Sequence, residues 1–266
     1  MRANYLAAEG AAALAAARWP CLRSLNLEAN RLGPEGAAAL AVASWSQLRK
    51  LNVADNHLGA EGARALAAAK SWRVLQSLDI SENLTGAEGM AARAEADWPL
   101  QELIAESNEL DPEGAAALAA ANFHGLQRLN LGGNDVCDAG AAALAEATWA
   151  GLRHLELLNN NLGPGAAAAL AAANFPSLET LCLSYNGSLG ARGAAALAAA
   201  DWPALQSLRL SATGLAAKGV SALAAGRWPL LRLSLAANGI SVKATEALAK
   251  KSWPNLETIY LARNNP

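Results

Sequence analysis

One frame recurs along the whole chain and leaves little freedom in what it can fold into. It reads L-x-x-L-x-L-x-x-N-x-L-G-x-x-G-A-x-A-L-A-x-A-x-W-x-x and begins at Leu22, Leu48, Leu75, Leu100, Leu126, Leu152, Leu178, Leu205 and Leu230. Starts are about 26 residues apart, and 25 or 27 where a loop loses or gains one residue. Half frames flank these, the first holding only the helical part and the last only the strand and Asn. A repeat of this length cannot bury its apolar face alone, so neighbours must stack into a solenoid.

Each part of the frame has a physical reason. In Leu25-Asn26-Leu27 alternate residues point to opposite faces, so the leucines enter the core and the middle residue faces out. The Asn recurs at Asn30, Asn56, Asn83, Asn108, Asn134, Asn160, Asn186, Asn238 and Asn264, with Thr213 as the exception. Its amide both donates and accepts, so a buried column can satisfy loop backbone groups, and Thr213 should bond less completely. In the segment that follows, Gly36, Ala39, Leu40 and Ala43 fall on one helical face. Pro34, Pro112 and Pro164 sit near helix starts, where a missing N–H costs little. An aromatic closes each repeat, using all eight Trp and both Phe, and a proline often follows as an expected helix stop.

This pattern resembles the leucine-rich repeat, specifically the ribonuclease-inhibitor-like class that pairs a strand with an α-helix. The GAxALA segment is similar to the GALA-type repeats of bacterial effector proteins. The resemblance covers essentially the whole chain. It implies an α/β leucine-rich-repeat solenoid, a right-handed β-α superhelix, organised as a single domain over 1–266: a half repeat at 1–21, nine full repeats over 22–255 and a half repeat at 256–266. The repeat is shorter than the ribonuclease-inhibitor pattern, and no F-box-like segment precedes it as in the GALA proteins. Strands stack about 4.8 Å apart and alanine-faced helices near the small end of about 8 to 10 Å, which predicts an open, shallow horseshoe.

Composition bears on partners and compartment. Of 266 residues 68 are alanine, and only 17% are charged, with a net charge of −2. That balance gives no global pull toward nucleic acid or anionic membrane. No run of 18 uncharged apolar residues suggests a membrane span. The N-terminal Ala/Leu run has some look of a signal peptide, but it matches the internal helical pattern and is assigned to the fold. Cys21, Cys137 and Cys182 are odd in number and widely spaced, so a reducing, cytoplasmic setting is expected.

No constellation for catalysis, and no cofactor, is expected. His57, His124 and His154 have no cysteine or carboxylate at metal-ligand spacing. The glycines from Gly187 to Gly193 mimic a phosphate loop but fit the ordinary repeat turn with one inserted residue. The sequons at Asn83 and Asn186 belong to the Asn column and are not expected to carry glycans.

The positions free to vary are the outward strand positions, which would form the concave surface. Glu28, Asp55, Asp79, Glu82, Glu102 and Glu106 make its first half acidic. Ile104, Arg128, His154, Glu156, Arg209, Arg232 and Tyr260 continue it toward neutral or basic, joined by Tyr185 and Arg263. Such a surface suits a protein partner oriented by complementary charge. The bland alternative is ordinary solvated polarity, with Arg128 simply pairing to Glu102. Two further readings stand beside the concave binding module: a subunit of a large assembly docking through its convex helices and ends, and a leucine-rich-repeat enzyme regulator. Arg93, Ala105 and the Leu84-Thr85 pair depart from the frame together, either as drift with neighbours relaxed inward or as a loosened seam.

Overall fold

The computed structural model describes residues 4–94, 96, 98–121, 123–251 and 253–264; for Arg93 and Ala94 it describes the backbone alone. The chain forms two compact units, residues 1–134 and 135–266. The first contains α1 (Ala7–Ala15), β1 (Ser24–Asn26), α2 (Gly33–Ala41), β2 (Lys50–Asn52), α3 (Gly59–Ala67), β3 (Ser77–Asp79), α4 (Gly86–Ala94), β4 (Glu102–Ile104), α5 (Pro112–Ala120) and β5 (Arg128–Asn130). The second contains α6 (Cys137–Ala145), β6 (His154–Glu156), α7 (Pro164–Ala172), β7 (Thr180–Cys182), α8 (Gly190–Ala198), β8 (Ser207–Arg209), α9 (Ala216–Leu223), β9 (Arg232–Ser234), α10 (Val242–Lys250) and β10 (Thr258–Tyr260). Within each unit the strands pair in parallel and in sequence order, as the repeat frame requires.

Register follows the frame residue for residue. Leu25, Leu51, Leu78, Leu103 and Leu129 stand in one row of the first unit. Leu155, Leu181, Leu208, Leu233 and Ile259 form the row of the second. Behind the strands lie the fully buried Leu27, Val53, Ile80, Ala105 and Leu131, then Leu157, Leu183, Leu210 and Leu235. Ala105 is closed off from solvent, in accord with relaxed neighbours rather than an open seam at that position. The side chain of Arg93 lies outside the described residues.

The Asn column ties each repeat to the one before it. Asn56 donates from Nδ2 to the carbonyls of Leu27, Val53 and Ala54, each at 2.9 Å. Its Oδ1 accepts from the Asn30 N–H at 3.0 Å and the Leu32 N–H at 3.3 Å. Its main-chain carbonyl accepts from Gly33 N, the first N–H of α2, at 3.0 Å. Asn83 repeats the set one strand on. Thr213 does bond less completely: its hydroxyl donates to Leu210 O at 2.7 Å and lies 3.2 Å from Asn238 Oδ1. Among the described residues it makes no bond to the carbonyl of Leu183, the place an Asn amide would reach.

The helices depart from expectation in two respects. Gly36, Ala37 and Leu40 form the buried face of α2, whereas Ala39 is only half-buried. The prolines after the aromatics do not stop the helices: α7 ends at Ala172 and α8 at Ala198, several residues before Phe175-Pro176 and Trp202-Pro203. The aromatics instead plug the space beneath the helix ends, with Trp45, Trp72, Trp149, Trp202 and Phe175 almost fully buried. Trp19, Trp45 and Trp72 stack at 6.3 and 6.5 Å between ring centroids. Most helices also start without a side-chain cap of their own, and the carbonyl of the next repeat's column residue, Asn or Thr213, receives their first N–H.

Helix α7 is an exception with its own device. Its N-cap is Gly163, which has no side chain to offer. Asp138, one repeat earlier on α6, accepts from Gly163 N at 2.6 Å and from Gly165 N at 3.1 Å. A carboxylate at a helix N-terminus satisfies orphan N–H groups and meets the favourable end of the dipole. Replacing Asp138 by alanine is therefore expected to cost about 1 to 2 kcal/mol. Urea unfolding would show this as a lower midpoint with an unchanged slope; an unchanged midpoint would mean solvent caps the helix equally well.

Candidate concave surface

The site candidate is the outward face of each sheet. In the first unit, one row runs Ser24, Lys50, Ser77, Glu102, Arg128 and the next Asn26, Asn52, Asp79, Ile104, Asn130. Much of its acidity is engaged internally. Arg128 Nε lies 3.3 Å from Glu102 Oε1, and Ser77 donates to Glu102 Oε2 at 2.7 Å. Asn130 donates to Glu106, and Asn52 to Glu28 at 3.4 Å. Asp79 accepts from the Ser81 hydroxyl and N–H. Asp55 and Glu82 are exposed, and their carboxylates have no partner among the described residues. Ile104 is half-buried between Asp79 and Asn130.

In the second unit the rows are His154, Thr180, Ser207, Arg232, Thr258 and Glu156, Cys182, Arg209, Ser234, Tyr260. Arg209 stands between Cys182 and Ser234, and Arg232 between Ser207 and Thr258, so neither has a carboxylate beside it in register. The structure brings Arg209, Arg232 and Tyr260 together around a depression of about 330 Å³. A second depression of about 540 Å³ shares Arg209 and Ser234 and adds Glu156, Tyr185, Ser211 and Arg263. The hydroxyls of Ser211 and Ser234 face each other at 2.8 Å, a polar floor that the charge trend alone did not reveal.

A backbone feature raises one column of this surface. The residue just before each column Asn or Thr adopts a left-handed conformation, including Asp55 (φ 53°), Glu82 (φ 54°), Tyr185 (φ 60°) and Arg263 (φ 59°). Non-glycine residues adopt this region at an energetic cost, held by the surrounding bonds. Here those bonds come from the next repeat, such as Asp55 N to Ser81 O at 2.9 Å. Nothing in the residue types marked this; Ala, Ser, Glu and Tyr all occupy the column.

Elsewhere the chemistry is spare. Among the described residues no group of three or more His, Cys, Asp or Glu side chains is placed to hold a metal. Burial pushes the Cys137 thiol up, and neighbouring Asp135 and Asp138 push it further, so its thiolate is disfavoured. Burial lowers the Lys251 ammonium, which lies 4.3 Å over the Trp253 ring. A groove of about 680 Å³ in the first unit is lined by Lys70, Arg73, Trp98, Gln101, Phe123 and His124. It lies where Trp98-Pro99-Leu100 is one residue shorter than the corresponding Trp72-Arg73-Val74-Leu75. No described helix is long and apolar enough to cross a membrane.

The parallel strand-helix units, the Asn column and the repeat length define a leucine-rich-repeat solenoid. The chain has the leucine-rich-repeat fold, and a leucine-rich-repeat model matches residues 20–41, 47–67, 125–145 and 176–198. No curated protein matches the sequence. The structure is similar to the leucine-rich-repeat-containing protein LegL7 from Legionella pneumophila, with TM-score 0.59 and 19% identity over 94% of this chain and 86% of that one. It is similar to a chain of the yeast Rad7 and Elc1 complex, with TM-score 0.58 and 17% identity over 96% of this chain and 71% of that one. It is also similar to a chain of the TLR13-ssRNA13 complex, with TM-score 0.57 and 21% identity, and covers 33% of that longer chain. At these identities the likeness concerns the fold.

Proposed function

We propose that this protein is a non-catalytic binding module that holds a partner protein against the outward face of its strands. The observation that carries the reading is the contrast between columns. Inward positions are nearly uniform leucine and Asn, whereas the outward ones carry Lys, Glu, Asp, Ile, Arg, His and Tyr in the same register. Tyr185 and Tyr260 are 61% and 54% exposed, and large aromatics and arginines on one face are the residues that anchor interfaces. The Rad7 and Elc1 structure is a complex of two proteins, which accords with this reading. A ribonuclease-inhibitor-like repeat class, one domain over 1–266 and a reducing intracellular setting belong to the same proposal.

The second reading, docking through the convex helices, is favoured by Val42 and Val242, which are 79% and 73% exposed on that side. Crosslinking capture from source cells separates the two, comparing the natural chain with the variant E102K, E106K, E156K and R209E. A partner lost in the variant supports the concave module. A partner retained and crosslinked through α2 or α10 would replace it with the assembly-subunit reading.

A further inference from the structure

We infer that the face built by Arg209, Arg232 and Arg263 recognises an extended acidic peptide segment of a partner protein, an assignment that rests on the concave-module reading and specifies its ligand. The three arginines come from successive repeats and are all exposed. None of their guanidinium groups has a hydrogen-bond or ion-pair partner among the described residues, whereas Arg128, Arg153 and Arg64 each pair with a glutamate. Register explains the difference: Arg128 has Glu102 opposite it, while Arg209 and Arg232 are flanked only by hydroxyl and thiol side chains. The two depressions that these arginines line are contiguous through Arg209 and Ser234.

Geometry and charge favour a peptide. Neighbouring strands are about 4.8 Å apart, and alternate side chains of an extended peptide recur about every 6.8 Å on one side. The three arginines are offset along the strands, Arg209 ending β8, Arg232 beginning β9 and Arg263 following β10. Their backbone positions therefore lie farther apart than neighbouring strands and suit carboxylates at every second residue of a segment crossing them, each gripped by a two-pronged guanidinium fork. Tyr185 and Tyr260 supply exposed apolar walls for the residues between. A polyanion such as RNA fits less well. Glu156 lines the same hollow and the chain carries net charge −2, so repeated phosphates would gain few cations.

The test is fluorescence anisotropy of the full chain with a labelled peptide about eight residues long, long enough to cross the three strands in extended form, bearing Glu at alternate positions. A Gln-for-Glu peptide and an oligouridine RNA serve as comparison probes. The Glu peptide is expected to bind at least about tenfold more tightly than the Gln peptide, and R209Q/R232Q/R263Q to weaken it by at least about tenfold, while R153Q leaves it unchanged. Melting curves of the triple variant should match the natural chain, since all three side chains are exposed. No binding of the Glu peptide, equal binding of the Gln peptide, or full binding by the triple variant would overturn the assignment. So would RNA binding more tightly than the Glu peptide. Partner capture that still depends on the concave charges would, in those cases, leave the module itself standing.

Discussion

Replacing Asn83 with alanine is expected to lower the stability of the first unit by about 3 to 6 kcal/mol. The reason is what the side chain leaves behind. Asn56 N and Leu58 N lose their acceptor at 3.0 and 3.2 Å, and the carbonyls of Val53, Ile80 and Ser81 lose a donor at 2.9 Å. Asn83 is fully buried. A buried group deprived of its partner costs about 1 to 3 kcal/mol, and two N–H groups lose theirs outright. Thermal unfolding followed by circular dichroism should show a fall of roughly 6 to 24 °C, given about 2 to 4 °C per kcal/mol for a chain of this size. A fall of only a degree or two would mean that water or a backbone shift replaces the amide.

Replacing Gly62 with alanine should destabilise by about 1 to 3 kcal/mol, although in an isolated helix the same change stabilises by about 1 kcal/mol. An added Cβ would sit 2.8 Å from Leu58 Cβ and 3.3 Å from both Ala37 Cβ and Pro34 Cα. All three are held close to backbone and cannot swing away. Gly36, Gly89 and Gly219 meet the preceding helix in the same manner. Where alanine takes this place, at Ala166 and Ala244, the helix enters differently, from an extended N-cap at Gly163 or Ser241 rather than a helical one. Gly187→Ala is the matched control, with nothing within 4 Å of its Cβ, and should be close to neutral. Urea midpoints of the two variants decide the matter; equal midpoints would show that α2 and α3 separate without cost.

The features legible in the sequence were those that repeat. Leu25 and its counterparts, the Asn column and the weaker bonding of Thr213 all follow from alternation and amide chemistry, because stacking forces equivalent residues into register. The pairing of Arg128 with Glu102 followed from the same register. What escaped was set by single departures or by backbone conformation. Asp138 caps a helix one repeat away, a contact between residues with no shared column. The groove beside Trp98 lies where one loop residue is missing, a change in the turn and not in the side-chain pattern. The helix ends were misjudged because the alanines that follow Ala198 mark no stop in the sequence, yet α8 ends there with no proline beside it. The lifted position of Tyr185 and Arg263 depends on a left-handed backbone that their residue types do not announce.

The Asn column also has a direction. The loop N–H groups of one repeat are received by the Asn of the next, as Asn30 N is by Asn56, and that Asn reaches back to the carbonyl of Leu27. Each turn is thus closed by residues that lie later in the chain. On a ribosome, which releases the polypeptide from its N-terminus at roughly 5 to 20 residues per second, a repeat of this length waits on the order of seconds for the amide that completes its predecessor. Folding during synthesis would then advance as a zipper whose last tooth stays open until another emerges.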